Sequence, residues 1–442
     1  FAKEGVIYRQ VNLSCQEDYD LLLGSGLYED LVNSGLLVCH SELPESTLIS
    51  PGGYKIIKPE PIPFISYPYE WCFSQLQDAA LTTIRILKRA LEFGMSLKDA
   101  SAYNIQFLRG KPILIDTLSF EKYREGAPWA AYRQFCQHFL APLALASYRD
   151  TGMGRLSQLH IDGIPLELAS SLLPIRTRLK PSLQVHIHLH AKFQRNSAKQ
   201  TVDRASSNRR FSRRAFSGLI DSLESAVKGL RSSPLKTEWT DYYDGDSYSQ
   251  TAFNHKIELV TGFLNEIRPT SVWDLGSNTG EFGRLAGNLG IQTIAFDQDQ
   301  ASVEQSYKTS VDRNETNVLP LVLDLLNPSP KIGWANSERM DLIDRGNPDM
   351  LMALALIHHL AIAQNLPLGM IADFFRKMCQ WAVVEFIPKS DQKVALLLAN
   401  RKDIFPGYTQ QNFEAEFSRD FEIQLAQRIM DSERTLYLMR AK

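Results

Sequence analysis

The chain has 442 residues, a hydrophobic fraction of 44% and 48 Lys plus Arg against 50 Asp plus Glu, a formal net charge of -2. Such a length predicts about two or three domains rather than one core, and the near-neutral charge excludes a global field suited to nucleic acid or to an anionic bilayer. Cys15, Cys39, Cys72, Cys136 and Cys379 lack the paired short spacings of a zinc site or disulfide framework, which predicts a reducing, cytoplasmic setting without a bound metal. No run is apolar over the ~20 residues needed to cross a membrane, and the first residues do not read as a signal peptide.

In chain order, "YKIIKPE" places Lys55 and Lys58 on a strand-like run, and "QLQDAALTTIRILKRALEFG" follows as an amphipathic helix. Next comes "LKDASAYNIQFLRGKPILIDT", with Asp99, Asn104 five positions later, and Asp116 closing a short β-like run. From Tyr54 to Arg149 this pattern resembles phosphotransferases of the protein-kinase type, whose D-x-x-x-x-N and strand-borne Asp serve the acceptor hydroxyl and magnesium. The resemblance implies an N-terminal α+β domain in which Asp99 faces an acceptor and Asn104 with Asp116 hold Mg-ATP. Asp99 lacks a preceding His-Arg, and Thr117 stands where an aromatic often follows the magnesium ligand. A phosphotransferase and a kinase-like scaffold that recognises substrate both remain open.

"VHIHLH" sets His186, His188 and His190 on one face if the run is a strand, a solvated edge more readily than a zinc site. From Lys192 to Arg214 the sequence is rich in Arg, Ser and Asn, with Asp203 as its one acid. It reads as a basic linker or surface helix, and as a strip open to RNA. The expected organisation is an N-terminal domain over 1–190, a linker over 191–235 and a second domain over 236–442. "TEWTDYYDGDSYS" then brings Tyr242 and Tyr243 in a run rich in aromatics and acids.

Beyond it, short β-rich runs alternate with helical ones: "SVWDLG", "EFGRLAGNLG", "QTIAFD", "ASVEQSYKTSV", "VLPLVLDL", "PDMLMALALIHHL", "IADFFRKMCQ" and "WAVVEFIP". The pair "FEIQLAQRI" and "RTLYLMRA" closes the chain. The alternation predicts an α/β, doubly wound, mostly parallel sheet whose ligands sit at the strands' carboxyl ends. There, "DLGSNTG" supplies Asp274 and a turn through Gly276, Ser277, Asn278 and Gly280, side-chain-poor enough for close backbone approach. A Walker loop would need a Lys after this turn, and none is present. Asp297 and Asp324 end the next two strands, where carboxylates can accept from ribose hydroxyls and an adenine amino group.

These motifs resemble class I S-adenosylmethionine-dependent methyltransferases from about Lys236 to Lys442, and the whole chain resembles bacterial methyltransferases related to nodulation proteins. The resemblance implies a Rossmann-like, seven-stranded sheet with antiparallel sixth and seventh strands. It also implies a loop from Asp274 to Gly280 around the methionine part of S-adenosylmethionine, with Tyr242 and Tyr243 as lid residues over the cofactor. Asp297, followed by Gln298, would bind the ribose, and Asp324, followed by Leu325, the adenine. The family's commonest loop has Gly where this chain has Asn278.

After the fourth strand, His358 and His359 are candidate bases, His358 being preferred. The acceptor implied is a small molecule, glycan or protein, with RNA left open by the basic linker. An inactive two-domain scaffold is the reading outside enzymology.

Overall fold

The computed structural model describes residues 1–3, 5–44, 52–192, 212–232, 249–399 and 402–442. Tyr242 and Tyr243, the expected lid residues, lie outside the described residues, as does most of the basic stretch. The chain divides into two compact units, Phe1–Pro234 and Leu235–Lys442. Among the described residues no helix is long and apolar enough to cross a membrane.

The first unit is α+β. Strands Arg9–Asn12, His40–Leu43 and Gly53–Pro59 form an antiparallel sheet with the last of them in the middle. Helix Phe73–Glu92 buries Leu76, Ala80, Thr83, Leu87 and Ala90, spacings of three and four that make one continuous face.

Helix Arg213–Gly229 falls within the stretch that charge patterning reads as a basic linker or surface helix. It is capped by Ser212 Oγ and buries Phe216, Ile220, Leu223 and Val227. It packs on helix Phe73–Glu92, with Lys88 bridging Asp221 at 2.7 Å and Glu224 at 2.5 Å. Charge counting overlooks this because the cations cluster ahead of the apolar face.

"VHIHLH" is also not a strand. Gln184–Leu189 is a wide helical turn, and across it and its flanks Leu183, Ile187 and Ala191, four apart, are buried. His186 meets the Tyr132 hydroxyl at 2.8 Å and Ser222 Oγ at 2.9 Å; His188 meets Ser170 and Thr177. Burial lowers the His186 pKa to about 4, with His190 adding repulsion. The histidines are therefore packed polar groups of a helix, and no cluster of metal-ligating residues occurs among the described residues.

In the second unit, α1 (Gln250–Ile267) precedes β1 (Ser271–Leu275), α2 (Glu281–Asn288), β2 (Gln292–Asp297), α3 (Gln300–Asp312) and β3 (Val318–Val322). Then come β4 (Met350–Ala353), α4 (Leu368–Met378), β5 (Trp381–Phe386), α5 (Gln392–Ala399), α6 (Gln410–Asp420), β6 (Phe421–Arg428) and β7 (Thr435–Ala441). The strand order is β3-β2-β1-β4-β5-β7-β6, parallel through β5 and antiparallel at β7 and β6.

This is the Rossmann-like, seven-stranded mixed sheet that the motifs implied. The central strands are buried along nearly their whole length, as parallel strands covered on both faces must be. Edge strand β6 alternates buried or half-buried with exposed residues. Order reverses between β1 and β4, so a crevice opens at their carboxyl ends.

Candidate functional site

The loop after β1 is held by the sheet's own backbone. The amides of Gly276 and Ser277 both donate to the Phe296 carbonyl at 2.9 Å, tying the turn to the end of β2. Gly276 has φ +71, and a Cβ there would stand 3.0 Å from Leu356 Cδ1; at Gly280, φ +84, it would stand 2.6 Å from Ser306 Oγ. Both positions therefore demand glycine.

Asn278 has φ +50, and its amide donates to Asp297 Oδ2 at 2.7 Å. Asn tolerates the left-handed region better than other side-chain-bearing residues, so it meets the backbone requirement that Gly meets in the commoner loop. The loop is pinned from behind by Arg284, 3% exposed, which donates to the Thr279 and Ser306 carbonyls and to Glu315. Sequence reading passes over Arg284 because it looks like a solvated residue of an amphipathic helix.

One pocket at the carboxyl ends of the parallel strands gathers Gly276 and Asn278 from the loop, Asp297 and Gln298 from the end of β2, and Asp324 and Leu325 from beyond β3. Leu354, Ala355 and Leu356, after β4, form a further wall, and His359 also lines it. Asp297 accepts from the amides of Asn278 at 2.7 Å and Asp299 at 2.8 Å. Burial raises its pKa to about 6 against the lowering effect of those donors. Asp324 Oδ1 accepts from the Leu326 amide at 2.9 Å.

Not every candidate enters the pocket. Ser277 is 4% exposed and buttresses the turn, its carbonyl accepting from the Gly280 amide at 2.8 Å. Asp274 lies beneath the loop, 2% exposed, held by the Gly283 amide, with Oδ2 lacking a hydrogen-bond partner among the described residues. Three carboxylates at successive strand ends thus divide into two that line the pocket and one that supports it. Burial pushes the Asp274 pKa to about 7, opposed chiefly by the Lys256 ammonium.

Because that value is raised from 3.8 in the unfolded chain, the folded state binds more protons, and the contribution of Asp274 to stability is lost as pH rises from about 4 to about 7. Asp274→Asn, which carries no titrating proton, is expected to flatten the decline of Tm over that interval. Unchanged pH dependence in a thermal melt series would count against the assignment.

The two histidines exchange their expected places. His358 is 0% exposed, and neither ring nitrogen has a hydrogen-bond partner among the described residues. Burial, with the charges of Lys256 and Arg434 adding, holds its pKa well below the ordinary histidine value. His359 is half-buried and faces the pocket, its pKa lowered by burial to about 4. A residue one position on in a helical turn points about 100° away, so only one of an adjacent pair can face a given side.

The kinase-like residues form a different kind of cluster. Asp116 pairs with Arg9 and accepts from Ser119 Oγ at 2.9 Å; Asn104 reaches the same Ser119 Oγ at 3.3 Å. Asp99 accepts from the Ser101 amide at 2.9 Å. Lys55, on the strand-like run "YKIIKPE", bridges Glu42 at 3.2 Å. The Arg9 guanidinium thus pairs with the carboxylate that the resemblance makes a magnesium ligand.

Nodulation protein NoeA of Rhizobium meliloti (strain 1021) is 35% identical over 413 residues, covering 92% of this chain and 87% of that protein. No family model matches the chain. Among solved structures, the magnesium protoporphyrin IX methyltransferase of Synechocystis PCC 6803 is 13% identical with a TM-score of 0.33, covering 46% of this chain and 94% of that one. The N-methyltransferase NodS of Bradyrhizobium japonicum WM9 is 10% identical with a TM-score of 0.32, over 44% of this chain and 98% of that one. For the bifunctional kinase-methyltransferase WbdD the values are 13% and 0.32, over 45% of this chain and 42% of that one. These structural likenesses each span less than half of the chain and leave the chemistry of the site to its own geometry. The relation that extends along the chain is the first, and this chain belongs to the family of nodulation protein NoeA.

Proposed function

We propose that the unit Leu235–Lys442 binds S-adenosylmethionine at the carboxyl ends of β1 to β4 and transfers its methyl group to an acceptor. One observation carries the reading: Asp297 and Asp324, at the ends of adjacent strands, line one pocket with the glycine-bearing loop. Each carboxylate oxygen accepts up to two hydrogen bonds, so Asp297 retains capacity for a ribose hydroxyl beyond the amides of Asn278, Asp299 and Gln298. Asp324 has an oxygen left for an adenine amino group, with Leu325, Leu326 and Leu354 as apolar walls. The cofactor supplies an electrophilic methyl group: its carbon–sulfur bond breaks as the carbon–acceptor bond forms, and the electron pair returns to sulfur.

The chain's own part is alignment, exclusion of water and acceptance of the acceptor's proton. His359, neutral at physiological pH because burial disfavours its cation, has a ring nitrogen able to take that proton. His359→Ala is expected to lower kcat about 100-fold while leaving the affinity for S-adenosylhomocysteine within about twofold. Equal kcat for this variant and wild type would remove the base assignment. A small molecule, glycan or protein is the acceptor class that the near-neutral charge favours. The first unit, with Arg9 on Asp116, serves as a substrate-recognising scaffold rather than a phosphotransferase.

Isotopically labelled S-adenosylmethionine incubated with the full chain and cell extract tests the reading. A labelled product that depends on Asp297 supports it, and its absence across extracts contradicts it.

A further inference from the structure

Behind the pocket lies a charged cluster almost sealed from solvent. Lys256 on α1 is 1% exposed, Glu385 on β5 is 0% and Arg434 before β7 is 1%. Lys256 Nζ donates to Glu385 Oε2 at 2.7 Å, and the same oxygen accepts the Ala355 amide at 2.8 Å. Glu385 Oε1 lies 3.7 Å from Arg434 Nη1, while the Arg434 guanidinium also grips Asp391 through Nε at 2.7 Å and Nη2 at 3.2 Å. Burying such charges costs several kcal/mol apiece unless geometry returns it, so a cluster of this kind is weak evidence for stability alone.

Its geometry points to the pocket. Ala355 has φ +51, a left-handed conformation that a residue with a Cβ adopts only at a cost. The amide of this strained residue ends on Glu385, and Leu354, Ala355 and Leu356 together form a pocket wall. Leu356 Cδ1 in turn lies 3.0 Å from where a Cβ at Gly276 would stand, so this turn packs against the glycine-bearing loop. The chain of contact runs from a buried carboxylate, through one strained amide, to the spacing between the two loops that enclose the pocket.

We infer that Glu385 is a positioning residue for the S-adenosylmethionine pocket, fixing the 354–356 turn through the Ala355 amide while Lys256 and Arg434 hold its carboxylate in place. The inference rests on the cofactor reading above and adds an element that it does not require.

The test uses the full chain with two readouts: titration calorimetry with S-adenosylhomocysteine, and hydrogen exchange over residues 354–360. Glu385→Gln retains only a neutral oxygen for two donors, and charge-assisted bonds are about twice as strong as neutral ones, so exchange is expected to quicken at least about threefold with a matching loss of affinity. Glu385→Ala is expected to change both by about tenfold or more, since the amide is left without an acceptor. Adding Ala355→Gly to either variant should recover part of the affinity, because glycine takes the left-handed conformation without anchoring; a general loss of stability would not be repaired this way. The near-isosteric Gln variant keeps the test decisive if the Ala variant does not fold.

Wild-type exchange over 354–360 in Glu385→Gln overturns the inference. So does faster exchange with unchanged affinity. If wild type itself binds no S-adenosylhomocysteine, the cofactor reading falls, and the exchange rates alone decide whether Glu385 sets the turn.

Discussion

Asp297→Ala is expected to raise the dissociation constant for S-adenosylmethionine by at least about 100-fold, the largest loss of binding from any single change in the pocket. Two effects add. The ribose hydroxyls lose their acceptor, and the amides of Asn278 and Asp299 lose theirs. Each buried donor left unpaired costs about 1–3 kcal/mol, and a factor of ten in affinity is about 1.4 kcal/mol. Because Asn278 is held in the left-handed region partly by that bond, the loop itself is expected to loosen, and Tm should fall with affinity. Asp297→Asn keeps one acceptor oxygen and should lie between the two. Calorimetric titration alongside thermal melts separates the parts: an alanine variant that binds as wild type would remove Asp297 from the ribose site, whatever its stability.

Lys256→Met is expected to destabilise the second unit by about 3–5 kcal/mol, the range found when one partner of a buried ion pair is removed. Lys256 is 1% exposed, its ammonium donates to Glu385 and it lies 4.4 Å from the Phe282 ring centroid. Removing it leaves the buried Glu385 carboxylate with only the Ala355 amide and the Arg434 guanidinium, 3.7 Å away, as partners. The double change Lys256→Met with Glu385→Leu is expected to recover part of the loss, because the under-compensated anion goes too, although the Ala355 amide then lacks its acceptor. Urea unfolding of the three proteins checks this. A Met variant within about 1 kcal/mol of wild type would mean that the pair is far better solvated than its burial shows.

The parallel core of the second unit is legible in the sequence for a physical reason. Strands covered on both faces read as nearly continuous apolar runs, and "VWDL", interrupted by Asp274, "TIAF" and "MLMA" approach such runs, each followed by an acid or a turn. The terminal pair is legible because edge strand "FEIQLAQR" alternates. Loop chemistry is legible at Gly276 and Gly280, where φ is positive, and Asn278 keeps the same backbone state.

What escapes the sequence is anything set by distant pairing. Lys256 and Glu385 stand 129 positions apart, and Arg9 and Asp116 stand 107 apart. No local pattern shows that a lysine on an amphipathic helix points inward, or that a guanidinium closes on an aspartate in a kinase-like motif. The adjacent histidines fail differently: periodicity says that they face different ways, but only the packed turn says which one faces the pocket. "VHIHLH" misleads because alternation of His with apolar residues satisfies a strand period, while Leu183, Ile187 and Ala191 satisfy a helical one.

Cofactor binding as proposed requires the pocket lined by Asp297, Asp324 and the turn after β1. Titration calorimetry of the full chain with S-adenosylmethionine tests it most directly. One site per chain with a dissociation constant of about micromolar order, lost in Asp297→Ala, is the predicted result. Absence of binding at about millimolar cofactor by a folded wild-type protein would contradict it.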